Sequence, residues 1–122
     1  MKRILLMDDS AIFLEVMRAA LEKEGYSVVC ASNLAELDGL RNSPSDLVLM
    51  DVQMPEAFGD DIAMTLRHAY GVKAPIYLLS SLEENELAER AKWAEIEGFI
   101  SKNRGMDAVI TAVRGIFEAR GA

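Results

Sequence analysis

Residues 4–9 read Ile-Leu-Leu-Met-Asp-Asp and residues 47–51 read Leu-Val-Leu-Met-Asp, so two short apolar runs each end in acidic residues. An unbroken apolar run of this length is typical of a parallel β-strand that is buried on both faces. Residues that directly follow such strands lie at the carboxyl edge of the sheet, where open α/β folds bind ligands. We therefore expect Asp8, Asp9 and Asp51 to meet in one cleft.

The rest of the chain alternates between strand and helix signals. The apolar pattern predicts strands near 3–7, 26–31, 46–50, 75–79 and 97–101, and helices near 10–23, 34–42, 59–69, 83–94 and 106–119. Such alternation favours an α/β protein with a parallel sheet covered by helices on both faces. Because no linker or composition shift interrupts the pattern, we expect residues 1–122 to form a single domain without an output domain.

Local signals refine two of these helices. Asn33 with Glu36, and Ser81 with Glu84, have the spacing of capping boxes and predict helix starts. On this interpretation Ser81 caps its helix, which leaves the preceding Ser80 available for a site. The period of 3.6 residues predicts a core face on the first helix, made of Phe13, Val16, Met17, Ala20 and Leu21.

The composition excludes several classes of function. A formal net charge of −7 argues against nucleic acid as a direct partner. Cys30 is the single cysteine, so it cannot form a disulfide within the chain, and its apolar surroundings favour a buried small side chain. No apolar stretch approaches the length that crosses a membrane, and Asp8 ends the first apolar run too early for a signal peptide. We expect a soluble, cytoplasmic protein.

Polar residues follow four of the five predicted strands, and together they suggest phosphoryl chemistry. Asp8, Asp9 and Asp51 are oxygen-only ligands, which suits a hard cation such as Mg²⁺. Asp51, the lone acid on a central strand, is the best candidate for a carboxylate nucleophile that forms an aspartyl phosphate. Ser80 offers a hydroxyl, and Lys102 offers a compact positive charge for a phosphoryl oxygen.

Each of these residues also has a purely structural interpretation. Asp8 and Asp9 can cap the first helix, since acidic side chains favour helix N-termini. Asp51 can initiate a turn before Pro55. His68 is interpreted as an ordinary helix-terminal residue, because no acidic pattern surrounds it. The joint arrangement at successive strand ends favours the site over these alternatives.

In these motifs the chain resembles the receiver domains of bacterial two-component response regulators, over essentially its whole length. The matching residues are Asp8-Asp9-Ser10, Asp51-Val52-Gln53-Met54-Pro55 with Gly59 beyond it, Ser80 and Lys102. The resemblance implies a doubly wound, flavodoxin-like sheet of five parallel strands in the order 2-1-3-4-5, with helices on both faces. It implies a signalling domain that reacts on itself, and no turnover enzyme.

The resemblance also implies roles for the site residues. Asp51 would accept a phosphoryl group from a histidine kinase or a phosphotransfer protein. Mg²⁺ or Mn²⁺ would be held by Asp8 or Asp9, by Asp51, and by the backbone carbonyl of Gln53. Lys102 would pair with the phosphoryl group.

The switch and its readout are implied in the same way. Ser80 would move towards the phosphoryl group and the aromatic Phe99 would follow. The change would alter the face formed by the fourth helix, the fifth strand and the last helix, which binds a downstream target protein in this family. Trp93 lies on that fourth helix, and we hold it as a hypothetical contact with the target.

Three departures from the family pattern keep other functions open. Asn103 follows Lys102 where the family usually has Pro, Phe99 has no hydroxyl, and the segment 56–61 is unusual. These features favour a rival function, a pseudo-receiver that binds proteins without phosphorylation. A second rival is a Mg²⁺-dependent phosphatase with an aspartate nucleophile, although such enzymes typically have Asp-x-Asp where this chain has Asp8-Asp9. A flavin-binding function is weaker still, because no Ser/Thr-rich loop follows the first strand.

Overall fold

A computed structural model describes residues 1–40 and 42–121 of the chain. The strands are β1 (Arg3–Met7), β2 (Ser27–Ala31), β3 (Leu47–Met50), β4 (Ile76–Ser80) and β5 (Gly98–Ser101). The helices are α1 (Ala11–Lys23), α2 (Leu34–Leu40), α3 (Gly59–His68), α4 (Glu84–Ala94) and α5 (Met106–Gly121), and a 3-10 turn spans Lys102–Arg104. Of the predicted helix 34–42, residue 41 lies outside the described residues, as does residue 122 of the chain.

The five strands form one parallel sheet in the order β2-β1-β3-β4-β5, which confirms the expected doubly wound topology. Side chains alternate across the central strands, so that Leu5 and Met7 pack with α2, α3 and α4. Ile4 and Leu6 pack on the opposite face with α1 and α5. Because helices cover both faces, each central strand is apolar along its length. The polar side chains are therefore left to the strand ends.

The buried face of α1 differs from the predicted one. Val16 is 49% exposed, whereas Leu14 is buried together with Met17 and Leu21. Leu14, Met17 and Leu21 follow the spacing i, i+3, i+7, so Val16 lies on the flank of the helix and not on its core face. The solvent-facing side of α1 thus carries two exposed large apolar side chains, Val16 and Ile12, the latter at 77% exposure.

The capping predictions were partly right. The Asn33 side chain accepts a hydrogen bond from the backbone N–H of Glu36 at 2.8 Å, as a helix cap should. The prediction that Ser81 caps α4 is wrong, because Glu83 occupies the N-cap position and makes no side-chain cap bond. Ser80 Oγ instead accepts a hydrogen bond from the backbone N–H of Leu82 at 3.2 Å, which forms a local turn and delays the helix start.

No helix in the described part of the chain combines the length and the apolar character needed to cross a lipid bilayer.

Candidate functional site

The three acidic residues meet at the carboxyl edge of the sheet, as the sequence predicted. β1 and β3 are neighbours, with Met7 in register with Met50, so the residues that follow these strands emerge side by side. Carboxylate oxygens of Asp8, Asp9 and Asp51 lie within 4.8 Å of one another. The backbone N–H of Asp51 donates to the carbonyl of Met7 at 2.9 Å, which fixes one strand end against the other.

The three carboxylates differ in exposure. Asp8 is 2% exposed and accepts a hydrogen bond from the backbone N–H of Ser10 at 2.9 Å. Asp51 is 6% exposed and accepts one from the backbone N–H of Val52, also at 2.9 Å. Asp9 is exposed to solvent. The site therefore has a buried floor of two carboxylates and an open rim of one.

Lys102 crosses the cleft from the end of β5 and contacts three groups. Its Nζ lies 2.6 Å from Asp8 Oδ2 and 3.7 Å from Asp51 Oδ1. It also lies 3.9 Å from the centroid of the Phe13 ring on α1. Since its side chain is only 20% exposed, this ammonium partly balances the charge of the acids away from bulk water.

The loop that carries Lys102 is held by side chains specific to this sequence. Ser101 Oγ accepts a hydrogen bond from the backbone N–H of Asn103 at 3.1 Å. The Asn103 amide donates to the carbonyl of Ser81 at 2.9 Å and ties this loop to the β4–α4 loop. The peptide bond between Lys102 and Asn103 is trans, since no cis peptide occurs among the described residues. Asn103 thus places Lys102 in the cleft through hydrogen bonds.

The electrostatics of the cleft raise the pKa of Asp51 from 3.8 to about 6. Burial of the carboxylate is the largest cause, and the neighbouring Asp8 and Asp9 raise the pKa further. The Lys102 ammonium and the hydrogen bond from Val52 act in the opposite direction. An ionised Asp51 is therefore costly without additional positive charge, which is the situation that favours binding of a cation.

The remaining predicted site residues are Ser80, Phe99 and Gln53. Ser80 is the last residue of β4, 1% exposed, and in register with Ser101, which precedes Lys102. Phe99 lies in β5, partly buried against the cluster on the α2–α3–α4 side. Gln53 is exposed in the loop after Asp51 and forms an isolated antiparallel bridge with Phe58. Ser80 thus ends its strand and Gln53 lies two residues beyond Asp51, whereas Phe99 lies two residues before the end of β5, and the roles of all three stay predictions.

The loop between β3 and α3 is packed closely against Asp51. The backbone N–H of Gly59 donates to the carbonyl of Val52 at 2.8 Å. A Cβ atom at Gly59 would lie 1.7 Å from the backbone oxygen of Asp51, so only glycine fits there. The next residue, Asp60, is 6% exposed and is paired with Arg90 of α4. This loop therefore connects the Asp51 backbone to α4.

Sequence reasoning missed two of these interactions. Phe13 was assigned only to the core face of α1, yet its ring contacts Lys102. Asp60 belongs to the segment 56–61, for which the sequence gives no role, yet it is buried and paired with Arg90 from α4. Phe58 packs under the same guanidinium, at 5.1 Å from its ring centroid. In the sequence, the only signs of these two contacts are the aromatic Phe13 in the first turn of α1 and the acidic Asp60 directly after Gly59.

The cluster fits a divalent cation. Three carboxylates within mutual reach, with oxygen ligands only and one open side, match the preferences of Mg²⁺ and Mn²⁺. Burial and the neighbouring acids disfavour ionisation of Asp51 and so raise its pKa, and a bound cation would offset that cost. Lys102 Nζ already contacts one carboxylate oxygen of Asp8, so the lysine and a metal ion would share the Asp8 carboxylate.

The family model of the response regulator receiver domain matches residues 4–114. Among curated proteins, the transcriptional regulatory protein PdtaR of Mycobacterium tuberculosis is 33% identical over 119 residues, which covers 92% of this chain and 55% of PdtaR. The polar-differentiation response regulator DivK of Brucella ovis is 25% identical over 115 residues, covering 93% of this chain and 94% of DivK. The chain spans about half the length of the first curated relatives that it matches.

Solved structures show the same architecture. The response regulator TrrA of Thermotoga maritima, solved in complex with Mg²⁺ and BeF, has a TM-score of 0.80 and 29% identity, covering 94% of this chain and 98% of TrrA. The chemotaxis protein CheY4 of Vibrio cholerae has a TM-score of 0.83 and 23% identity, covering 93% of this chain and 97% of CheY4. At the latter identity the likeness concerns the fold alone.

Proposed function

This chain belongs to the response regulator receiver family, and from that premise we propose that it accepts a phosphoryl group on Asp51 and switches a protein-binding surface. The donor is a phosphohistidine of a histidine kinase or of a phosphotransfer protein. The observation that carries the proposal is the contact set of Lys102, whose Nζ lies 2.6 Å from Asp8 and 3.7 Å from Asp51. The Lys102 ammonium thus lies beside both Asp8 and Asp51, at the point where a phosphoryl oxygen would need a positive charge.

The chemistry assigned to Asp51 is nucleophilic attack on phosphorus. A carboxylate oxygen of Asp51 forms the new O–P bond while the P–N bond of the phosphohistidine breaks, and the imidazole nitrogen leaves with the electron pair. Lys102 neutralises charge on the transferred group, and the backbone N–H of Val52 orients the carboxylate at 2.9 Å. The domain modifies itself and does not turn over a substrate.

Asp8, Asp9, Asp51 and the backbone carbonyl of Gln53 are the ligands that we assign to Mg²⁺ or Mn²⁺. When bound, such an ion supplies positive charge to the phosphoryl oxygens. The relative TrrA was solved with Mg²⁺ and BeF, which supports the same pairing of ion and phosphoryl mimic in this chain.

The switch that we propose begins at Ser80 and ends at the face of α4, β5 and α5. Ser80 Oγ accepts a hydrogen bond from Leu82 and is free to donate its proton to a phosphoryl oxygen. Phe99, partly buried in β5, would then repack. Trp93 on α4 is 55% exposed, and we propose it as a target contact, so that Trp93→Ala weakens target binding without changing stability. An unaltered affinity for the target would remove Trp93 from this surface.

The pseudo-receiver is the rival favoured by a specific observation. Lys102 Nζ already pairs with Asp8 Oδ2 at 2.6 Å, so the negative charge of the cleft is partly neutralised without a metal ion. Asn103, which holds the Lys102 loop through Ser81, departs from the Pro that is usual in the family. A domain of this kind would bind its partner in the unmodified state. The phosphatase function is disfavoured by the adjacency of Asp8 and Asp9.

An amide-resolved NMR comparison of the wild type and Asp51→Asn separates these functions. Spectra are recorded with Mg²⁺ alone and then with Mg²⁺ and beryllofluoride, a mimic of the aspartyl phosphoryl group. We expect shifts around Asp8, Asp9 and Asp51 that spread to Ser80, Phe99 and Trp93 only in the wild type with beryllofluoride.

A response to Mg²⁺ without a response to beryllofluoride would support the pseudo-receiver instead. Turnover of a generic phosphate ester under the same conditions would support the phosphatase. As a matched control for the nucleophile, Asp61→Asn removes an exposed acid from the first turn of α3 and leaves the cleft intact.

A further inference from the structure

We propose that Phe13 is a positioning residue for Lys102, and that its ring holds the ammonium at the cleft through a cation–π interaction when a divalent cation takes the Asp8 oxygens. The inference rests on the proposed function and deepens it. Lys102 Nζ lies 3.9 Å from the centroid of the Phe13 ring, within the range in which a ring face attracts a cation.

The backbone of Phe13 is itself fixed by the start of α1. Ser10 is the N-cap of this helix, and its hydroxyl accepts a hydrogen bond from the backbone N–H of Phe13 at 3.2 Å. The backbone N–H of Ser10 donates in turn to Asp8 Oδ1 at 2.9 Å. The acid, the cap and the backbone of Phe13 therefore form one continuous unit, and the Phe13 ring packs partly buried against the core on the α1 and α5 side.

The need for such a support follows from competition at Asp8. An ammonium has three donors, and Lys102 directs one at Asp8 Oδ2, 2.6 Å away, while Asp51 Oδ1 lies farther at 3.7 Å. A divalent cation on Asp8 would weaken the shorter of these contacts. The lysine stem is flexible, so its charge would otherwise move towards solvent. The Phe13 ring offers a contact that a metal ion does not compete for.

The loop at the other end of Lys102 restricts the backbone but leaves the side chain unconstrained. Asn103 donates to Ser81 and to Ser101 Oγ, and both bonds act on the residue after Lys102. The stem of Lys102 still has four rotatable bonds. The two supports are therefore complementary. The hydrogen bonds of Asn103 restrict the backbone at Lys102, and the Phe13 ring restricts the position of the Lys102 ammonium.

The test replaces Phe13 with 4-fluoro-, 3,5-difluoro- and 3,4,5-trifluorophenylalanine. Fluorine withdraws charge from the ring face with little change of shape, so the series weakens a cation–π interaction and preserves packing. We expect the affinity for beryllofluoride in the presence of Mg²⁺ to fall stepwise, by roughly fivefold at the trifluoro ring. The affinity for Mg²⁺ alone should not fall, because the lysine competes with the ion for Asp8. Loss of both affinities together would indicate damage to the fold and overturn the proposal.

Two further variants strengthen the test. Phe13→Tyr keeps a ring and should retain the wild-type affinity for beryllofluoride, whereas Phe13→Leu should lose as much as the trifluoro ring. In a Lys102→Met background, fluorination should have no effect. Equal affinities across the fluorinated series in the presence of Lys102 would overturn the inference and leave the proposed function standing.

A readout on the metal-free protein is independent of the phosphoryl mimic. The ring current of Phe13 should move the Cε protons of Lys102 upfield, and Phe13→Leu should return them to the position of an exposed lysine. Absence of this shift would overturn the contact itself. A wild-type protein that shifts these protons but binds no beryllofluoride would overturn the proposed function, and this inference with it.

Discussion

Arg90 on α4 donates to both carboxylate oxygens of Asp60 at the start of α3, at 3.1 Å each. The side chain of Asp60 is 8% exposed and that of Arg90 is 27% exposed, so the pair is largely shielded from solvent. Arg90 also donates to Glu86, one turn earlier on α4, at 2.9 Å. Since Asp60 directly follows the glycine packed on the Asp51 backbone, this ion pair joins α4 to the loop that frames the site.

Replacing Arg90 by alanine should therefore destabilise the fold. It leaves the Asp60 carboxylate buried without its counter-charge, which costs about 2–4 kcal/mol in the free energy of unfolding. Urea unfolding followed by far-UV circular dichroism measures this change. Glu86→Ala is the matched control, because Glu86 is the exposed partner of the same guanidinium and should cost less than about 0.5 kcal/mol. Equal costs for the two variants would contradict the prediction.

Asp51→Asn should stabilise the metal-free protein at neutral pH. Folding raises the pKa of Asp51 from 3.8 to about 6, so the folded state holds this proton more tightly than the unfolded chain between those values. Stability is therefore lost as pH rises through this window, and the ionised carboxylate costs on the order of 2 kcal/mol at pH 7. The amide avoids that cost, so the gain should be present at pH 7 and vanish below pH 4. Thermal unfolding at a series of pH values measures it, and a gain that persists at pH 3.5 would contradict this origin.

Lys102→Met should raise the pKa of Asp51 above its value of about 6 in the wild type. The ammonium lies 3.7 Å from Asp51 Oδ1 and favours the ionised carboxylate, so its removal favours the protonated form. An NMR titration of the Asp51 carboxyl carbon in metal-free protein measures the pKa directly. Lys92→Met, which removes an exposed lysine from α4, should leave the pKa unchanged. A pKa that stays at the wild-type value or falls in Lys102→Met would contradict this action of the lysine on Asp51.

Gly59→Ala should distort the site as well as the fold. The added Cβ would lie 1.7 Å from the backbone oxygen of Asp51 and 2.7 Å from its carbonyl carbon, and backbone atoms there cannot move aside cheaply. We expect a loss of more than about 3 kcal/mol in the free energy of unfolding, with large amide shifts at Asp51. Gly115→Ala in α5 is the control, since its Cβ would meet nothing within 4 Å and should add about 0.5–1 kcal/mol. A Gly59→Ala protein as stable as Gly115→Ala would contradict the packing.

The fold was largely predictable because its strands are buried on both faces. Each strand appears in the sequence as a continuous apolar run, and the predicted bounds differ from the observed ones by one residue at most. The convergence of Asp8, Asp51 and Lys102 followed from one rule, that the carboxyl ends of parallel strands share an edge. Neither inference depends on how individual side chains pack.

The errors occurred where side-chain packing decides the outcome. Val16 has the spacing of a core residue, but α1 is rotated so that Leu14 is buried in its place. Ser81 has the spacing of a helix cap, but a turn bonded to Ser80 moves the helix start to Glu84. The pairing of Asp60 with Arg90 joins residues 30 positions apart, and no local pattern encodes it.

The contact between Asp8 and Lys102 joins residues 94 positions apart in the chain. A nascent chain that has exposed Asp8 and Asp9 therefore still lacks the lysine that contacts Asp8. The acids and the lysine come together only when β5 takes its place at the edge of the sheet beside β4. Until that contact forms, the chain carries the three carboxylates of the cleft without the ammonium that lies beside two of them.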